Sequence, residues 1–451
     1  MNIDRHIFEE LLLWKNSTER KPLILRGARQ VGKTTLVRQL AKTYKNCVLL
    51  NLELKEDLHF FLEYDRVQSL VEALFVAKNL SLTDKNDTLL FIDEIQESPQ
   101  AIGLLRYFYE FESGLHVIAA GSLLEQSMRS IKSFPVGRVQ FLYLYPVNFR
   151  EFLGAIHKTS ALEQLDNVPV REVAHHTLMD LFHRYAIVGG MPEVVRKYAK
   201  TESLTGLSTI YEGIWETYKE DVVKYAESTP EARIIKHIIL TAPFSLDARV
   251  KFQNFGNSNY RSREIGEAFR QLNDAKVIQL IYPTTSLAPP MLPDLKKSPR
   301  LQFLDTGLIN YELRIQVEML AMDDMSKAYK GAVIPHVVAQ EFMSLNTTKD
   351  TRPVFWVREK RQSSAEVDMV IPFEKWLIPV EIKSGKEGKL KSLHQFIEEA
   401  PHPYAVRMYA GKFSIDQHTT RSGKKYFLMN LPYYLGTKLP EYIMYFVANY
   451  G

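Results

Sequence analysis

The chain has 451 residues, 45% apolar and 24% charged. This is the balance of a globular protein with a sizeable core, and at about 150 residues each it has room for about three domains. Its one cysteine, Cys47, excludes an intrachain disulfide, and no stretch reaches the ~18 uninterrupted apolar residues of a membrane helix. The net charge of +4 is uneven: residues 330–451 hold 17 Lys and Arg against 12 Asp and Glu, the rest 40 against 41. An anionic partner is therefore to be sought at the C-terminal end. The opening MNIDRHIFEELLLWK carries acids and no long apolar run, so no signal peptide and no membrane association are expected. With a lone thiol in an apolar run, a cytoplasmic location is expected.

In chain order, PLILRG, CVLLNLE, TLLFIDE, LHVIAAGS and VQFLYLY are apolar runs with little polar alternation, as in strands of a parallel sheet covered on both faces. Amphipathic segments such as GKTTLVRQLAKTY and AIGLLRYFYEF lie between them, and this β-α-β-α order predicts a doubly wound α/β domain over 1–150. A helical region, 151–225, follows, broken at Val188-Gly-Gly-Met-Pro192, where Gly-Gly then Pro ends one helix and starts another. Over 226–320, SREIGEAFRQLNDAKVIQLIYPT predicts a helix running into two strands, a winged-helix pattern, with the Pro-interrupted SLAPPMLPDLKKSPR as loop or wing. The remainder, 321–451, predicts one helix and then the strands VFWVRE, EVDMVIP and WLIPVEIK.

Two motifs carry chemistry in the first domain. Gly27-Ala28-Arg29-Gln30-Val31-Gly32-Lys33-Thr34 fits G-x-x-x-x-G-K-[ST] between a strand and a helix, and Thr35 continues the helix. The glycines let backbone N–H groups turn toward phosphate oxygens, and the helix N-terminus adds positive partial charge. Lys33 can reach the β- and γ-phosphates, and the Thr34 hydroxyl can ligate Mg²⁺. Asp93 and Glu94 end the strand LLFI, where Asp93 would hold the metal through water and Glu94 would polarise an attacking water. ATP binding and hydrolysis are the expectation. Arg138 is a candidate arginine finger, against the plain reading of a surface arginine.

In the last region Glu366-Val-Asp368 precedes Glu381-Ile-Lys383. Residues two apart on a strand share a face, so Glu381 and Lys383 point one way. With Asp368 they could hold a divalent cation and orient water, or form a salt-bridged surface. Arg358, Lys360, Arg361, Lys386, Lys389 and Lys391, with Phe355 and Trp356, could track a phosphate backbone, or Trp356 could be a core residue and the lysines a solvated face. Arg261, Arg263 and Arg270 flank the helix of the winged-helix pattern, where DNA or protein contact is equally open.

GARQVGKT, LLFIDEIQ, AAGS, VGRVQFLYLYP, GGMPEVV and FLDTGL occur in this order. In this combination the sequence resembles the AAA-family ATPases, related to AAA+ and STAND proteins, that carry the DUF4143 C-terminal region. The resemblance covers nearly the whole chain. It implies an ATPase core, a helical lid that approaches the nucleotide at Gly190-Met-Pro192, a winged helix and a C-terminal α/β fold of the PD-(D/E)xK nuclease type. It implies Ser122 as a contact of the γ-phosphate or the water, against the plain reading of a turn residue, Asp368 and Glu381 as metal ligands with Glu341 as a further member, and Lys383 beside the attacking water. Three functions stay open: an ATP-driven, DNA-directed nuclease, a nucleotide-controlled binding module with a silent nuclease fold, and a plain ATPase. A homo-oligomer or an unidentified protein partner is compatible with each.

Overall fold

The computed structural model describes residues 3–121, 137–226, 228–246, 248–320, 325–358, 365–385 and 390–450. The first strands, β1 (Leu23–Arg26), β2 (Asn46–Asn51), β3 (Thr88–Asp93), β4 (His116–Ala120) and β5 (Gln140–Tyr143), form a wholly parallel sheet in the order β2-β3-β4-β1-β5. Alternate residues feed separate cores on its two faces. Leu23, Leu25, Leu89, Phe91 and Ile118 pack with Leu36, Val37 and Leu40 of the helix Lys33–Ala41. Ile24, Leu50, Leu90, Ile92 and Val117 pack with Phe61, Leu70, Leu74 and Phe108 from three helices on the other face. Both faces being dry, the strands need apolar residues at every position, which is why they appear as continuous runs.

The five apolar runs and both intervening helices are where the sequence places them. Helices Phe149–Ala155, Thr159–Leu165, His175–Val188, Pro192–Thr201 and Ser208–Tyr225 follow, the third and fourth separated by the Gly-Gly-Met break. Then come helices Thr229–Thr241 and Ser262–Asp274 and an antiparallel pair, β6 (Ile278–Ile281) and β7 (Arg300–Phe303). The Pro-interrupted connection between β6 and β7 is not a free wing at its start. Thr284 N donates to the Phe355 carbonyl at 2.8 Å, and Leu287 and Met291 pack on the core around Trp356.

The C-terminal part contains the helix Val333–Ser344, the short pair β8 (Trp356–Val357) and β9 (Glu366–Val367), and a second five-stranded sheet. Its strands are β10 (Met369–Phe373), β11 (Trp376–Ile382), β12 (Tyr404–Tyr409), β13 (Ser414–Thr419) and β14 (Lys425–Pro432), in the order β10-β11-β12-β14-β13. The outer pairs are antiparallel and the inner pairs parallel. Helices Lys391–Glu399 and Leu439–Asn449 complete it. Among the described residues no helix is long and apolar enough to cross a membrane.

Candidate functional site

The phosphate loop leaves β1 at Gly27 (φ +147°) and enters its helix at Gly32 (φ +98°). Both are conformations that favour glycine. A Cβ on Gly27 would also stand 2.3 Å from the Leu144 carbonyl oxygen, so the loop is pinned beside the chain leaving β5. Lys33 is buried, and its Nζ donates to the carbonyls of Gly27 (2.9 Å) and Ala28 (2.8 Å). Gln30, at φ +62°, turns the loop, and Tyr218 OH donates to the Arg29 carbonyl at 2.9 Å.

Thr34 and Asp93 meet: Thr34 Oγ1 donates to Asp93 Oδ2 at 2.7 Å. Burial pushes the Asp93 carboxyl upward, opposed by the Thr34 hydroxyl. Glu94 takes a left-handed conformation (φ +51°) just past β3, and its Oε2 accepts from Gln96 Nε2 at 2.6 Å. Asp93 and Glu94 therefore stand at the C-terminal end of an inner strand, the end of the sheet from which the loop also springs.

A cleft of about 400 Å³ opens over these groups, lined from the core by Gln30, Lys33, Thr34, Thr35 and Glu94 among others. From the following helices, Pro192, Glu193, Arg196 and Thr217 reach it. Pro192 Cγ lies 3.7 Å from where a Cβ on Gly32 would be, so the Gly190-Met-Pro192 turn rests against the phosphate loop. Arg29 pairs with Asp221 at 2.8 Å, which ties the loop to the helix Ser208–Tyr225.

Two cleft arginines escape the sequence reading. Arg196 stands one helical turn after Pro192, and that spacing was the available signal. Arg5 had none: it is buried, and donates to the carbonyls of Val31 (3.1 Å) and Tyr145 (2.6 Å) while pairing with Glu151 at 3.0 Å. Burial opposes ionisation of Glu151, but Arg5 and the His6 contacts outweigh it and hold the carboxyl down to about 2.

Ser122 lies outside the described residues. Arg138 stands just before β5, whose Gln140 pairs in register with Leu23 at the start of β1. That is the edge of the sheet opposite the phosphate loop, and there Arg138 pairs with Glu110 at 3.1 Å.

At the second constellation, Asp368, Glu381 and Lys383 come together. Asp368 Oδ2 accepts from Ile382 N at 2.9 Å, and Lys383 Nζ donates to Glu381 Oε1 at 2.5 Å. Burial, then the nearby Asp368 charge, pushes the Glu381 carboxyl up to about 7. Arg300 of β7 is the residue missed here. It donates to Asp368 Oδ1 at 3.2 Å, pairs with Glu366 at 2.5 Å and lies over the Phe355 ring.

Glu341 does not join this group, which corrects its reading as a further ligand. On its helix, Pro335, His336 and Ala339 line the small cavity beside Asp368. Glu341 is two residues past Ala339, about 200° round the helix, and faces Phe149 N and Tyr185 OH instead. Among the described residues no group of three or more His, Cys, Asp or Glu could hold a metal ion.

Phe355 and Trp356 are buried, with Trp356 edge-on to Phe396 at 5.2 Å, so both are core residues. Arg358 pairs with Glu399 at 2.8 Å. Lys360, Arg361, Lys386 and Lys389 lie outside the described residues. Arg261, Arg263 and Arg270 are exposed.

A parallel sheet in which an inner strand, β1, runs into this loop, with Thr34 and Asp93 in contact beneath the cleft, defines a P-loop nucleotide-binding protein. Residues 19–153 match the AAA domain family, residues 179–318 a domain of unknown function, DUF8612, and residues 330–434 a domain of unknown function, DUF4143. The chain thus carries an AAA domain and, C-terminal to it, a DUF4143 region, the combination that the resemblance implied. No match is found among curated proteins. Among solved structures, a Walker-type ATPase of Pyrococcus abyssi is 15% identical with TM-score 0.44, covering 69% of this chain and 96% of its own. The S. cerevisiae Hsp104–ADP complex is 13% identical with TM-score 0.29, covering 76% and 44%. Unliganded Pif1 from a Bacteroides species is 16% identical with TM-score 0.21, covering 40% and 49%.

Proposed function

We propose that the chain binds ATP with Mg²⁺ in the 400 Å³ cleft and hydrolyses it. The observation that carries this is the convergence of Lys33, Thr34, Asp93 and Glu94 at one end of β1 and β3. Loop amides and the helix N-terminus receive the phosphates, and Lys33 turns from the loop carbonyls to the outer phosphates. The Thr34 hydroxyl and Asp93 carboxylate are adjacent hard oxygens, a set that fits Mg²⁺. Thr34 and Asp93 would hold the ion, which would supply positive charge beside the outer phosphates. Glu94, held by Gln96, orients and polarises water, and Arg196 brings positive charge from the lid side of the cleft. Glu94→Gln is the test: ATP binding should persist while phosphate release falls by about 10²-fold or more. Undiminished release would remove Glu94 from that role.

We further propose that the chain comprises an ATPase core over 1–150, a helical lid over 151–225, a winged-helix-like part over 226–320 and a nuclease-like part over 321–451. Helix Ser262–Asp274 with the β6–β7 pair, and the mixed sheet bearing Asp368 and Glu381, support the last two. The binding-module reading of the last part is the one we favour, for a specific reason. Both Asp368 oxygens are occupied, by Arg300 and the Ile382 amide, and Glu341 faces away. Asp368 is thus held by the Arg300 guanidinium, and Glu341 supplies no further ligand beside it. The nucleotide state would then control recognition of DNA or a protein partner by the C-terminal half of a cytoplasmic protein, and Arg138 would act as a finger only across a subunit boundary in an oligomer. Incubating DNA with the protein and Mn²⁺ separates the readings: metal-dependent cutting lost in Lys383→Ala would restore the nuclease.

A further inference from the structure

Glu341 belongs to the C-terminal region, yet it is buried against the first half of the chain. Both its carboxylate oxygens lie 3.0 Å from Phe149 N, at the start of helix Phe149–Ala155. Tyr185 OH lies 2.7 Å from one of them. Three residues on, Ser344 Oγ accepts from the Asn148 side chain at 3.2 Å, and Asn148 is the N-cap of that same helix.

Two chains of buried contacts leave this point, and both end at the phosphate loop. In one, Asn148 and Glu151 cap the helix reciprocally. Glu151 takes Arg5 Nε at 3.0 Å, and Arg5 Nη1 donates to the carbonyl of Val31 inside the loop at 3.1 Å. In the other, Gln340 Nε2 bridges Tyr185 OH (3.1 Å) and Asp305 Oδ2 (3.4 Å). Asp305 receives Gly190 N at 2.5 Å, and the Gly190 carbonyl receives Val147 N at 2.7 Å. Gly190 opens the turn whose Pro192 rests on Gly32. The motif FLDTGL thus reaches the nucleotide site by way of GGMP.

There is no slack in this assembly. A Cβ on Gly189 would stand 2.4 Å from Asp305 Oδ1, one on Gly190 2.1 Å from the Val147 carbonyl, and one on Gly307 2.1 Å from the Val188 carbonyl. Buried polar networks of this kind specify one arrangement, because each group left without its partner is costly in a low dielectric.

We propose that Glu341 is a positioning residue for the nucleotide site: through the cap of helix Phe149–Ala155 on one side and the Asp305–Gly190 contact on the other, it fixes the phosphate loop against the lid turn. The inference rests on the reading of the cleft as an ATP site. It makes the C-terminal region part of that site's support, and by linkage ATP must act back on Glu341's helix.

Two measurements test it. In the first, ATP affinity and saturating turnover are compared in the parent, Glu341→Ala and Glu341→Gln. Glu341→Ala should weaken ATP binding by about tenfold and leave turnover at saturation within about threefold. Glu341→Gln keeps an acceptor for Phe149 N and should restore affinity to within about threefold of the parent. In the second, amide hydrogen exchange over 333–344 is followed in the unmodified chain. It should slow when ATP is added to the parent and not when it is added to Lys33→Ala. A folded Glu341→Ala that binds ATP like the parent, no rescue by Gln, or an exchange response that stops before residue 333 would each overturn the inference. If Glu341→Ala does not fold, the exchange measurement decides. A parent that binds no ATP overturns the functional reading itself, and the inference with it.

Discussion

Thr34 Oγ1 and Asp93 Oδ2 are 2.7 Å apart, although 59 residues separate them in the chain. Parallel pairing brings the end of β3 beside the loop that follows β1, with β4 between the two strands. A side chain that can ligate a cation and one that can hold it through water thus share one point of the cleft. Asp93→Asn should keep nucleotide binding within about tenfold, lower saturating turnover by about 10²-fold, and raise the Mg²⁺ concentration for half-maximal rate. A Mg²⁺ titration of phosphate release checks this. An unchanged midpoint would separate Asp93 from the ion.

Arg5 stabilises the loop through its backbone carbonyls and neutralises Glu151. Removing it leaves a buried carboxylate without its cation. Arg5→Ala should cost about 3–5 kcal/mol in urea unfolding, and Arg5→Ala with Glu151→Gln clearly less than the sum of the two single changes. Simple additivity would mean the pair is not coupled.

The pH dependence has two limbs. Glu151 titrates near 2 in the folded chain, below its ordinary 4.5. The unfolded chain therefore binds more protons between these values, and this stability is lost as pH falls from about 4.5 to about 2. Burial pushes Glu341 the other way, up to about 8. The folded chain then binds more protons from 4.5 to about 8, so stability falls as pH rises through that window and levels off above it. Denaturant midpoints from pH 5 to 9 should decline in the parent and decline less in Glu341→Gln. Parallel slopes would show that Glu341 is not the group responsible.

Two glycine substitutions should differ in sign. Gly190→Ala forces a Cβ to 2.1 Å from the Val147 carbonyl and should lower Tm by several degrees or prevent folding. Gly213, exposed on helix Ser208–Tyr225, has nothing within 4 Å of an added Cβ. Gly213→Ala should therefore stabilise by about 1 kcal/mol. Thermal unfolding of both compares a packing glycine with a permissive one.

The P-loop sheet was legible because two dry faces force uninterrupted apolar strands, and because the phosphate motif lies within eight consecutive residues. The C-terminal sheet was legible only in part. Asp368, Glu381 and Lys383 could be placed because strand spacing sets which residues share a face. The strand Ser414–Thr419, SIDQHT, lies at the sheet edge with half its residues exposed or nearly so, and carries no apolar alternation to reveal it. Glu341 was assigned to the wrong neighbours because its partner Phe149 is 192 residues away, and no local pattern shows which face of a helix meets which domain. Arg300 and Arg5 were missed for the same reason, since each acts through contacts that only the folded chain creates.

The most direct measurement is calorimetric titration of the parent and of Lys33→Ala with ATP and Mg²⁺. The parent should bind one ATP per chain, and Lys33→Ala should bind at least about a hundredfold more weakly. A parent that takes up no ATP, or a Lys33→Ala variant that binds it equally well, would contradict the assignment of the cleft.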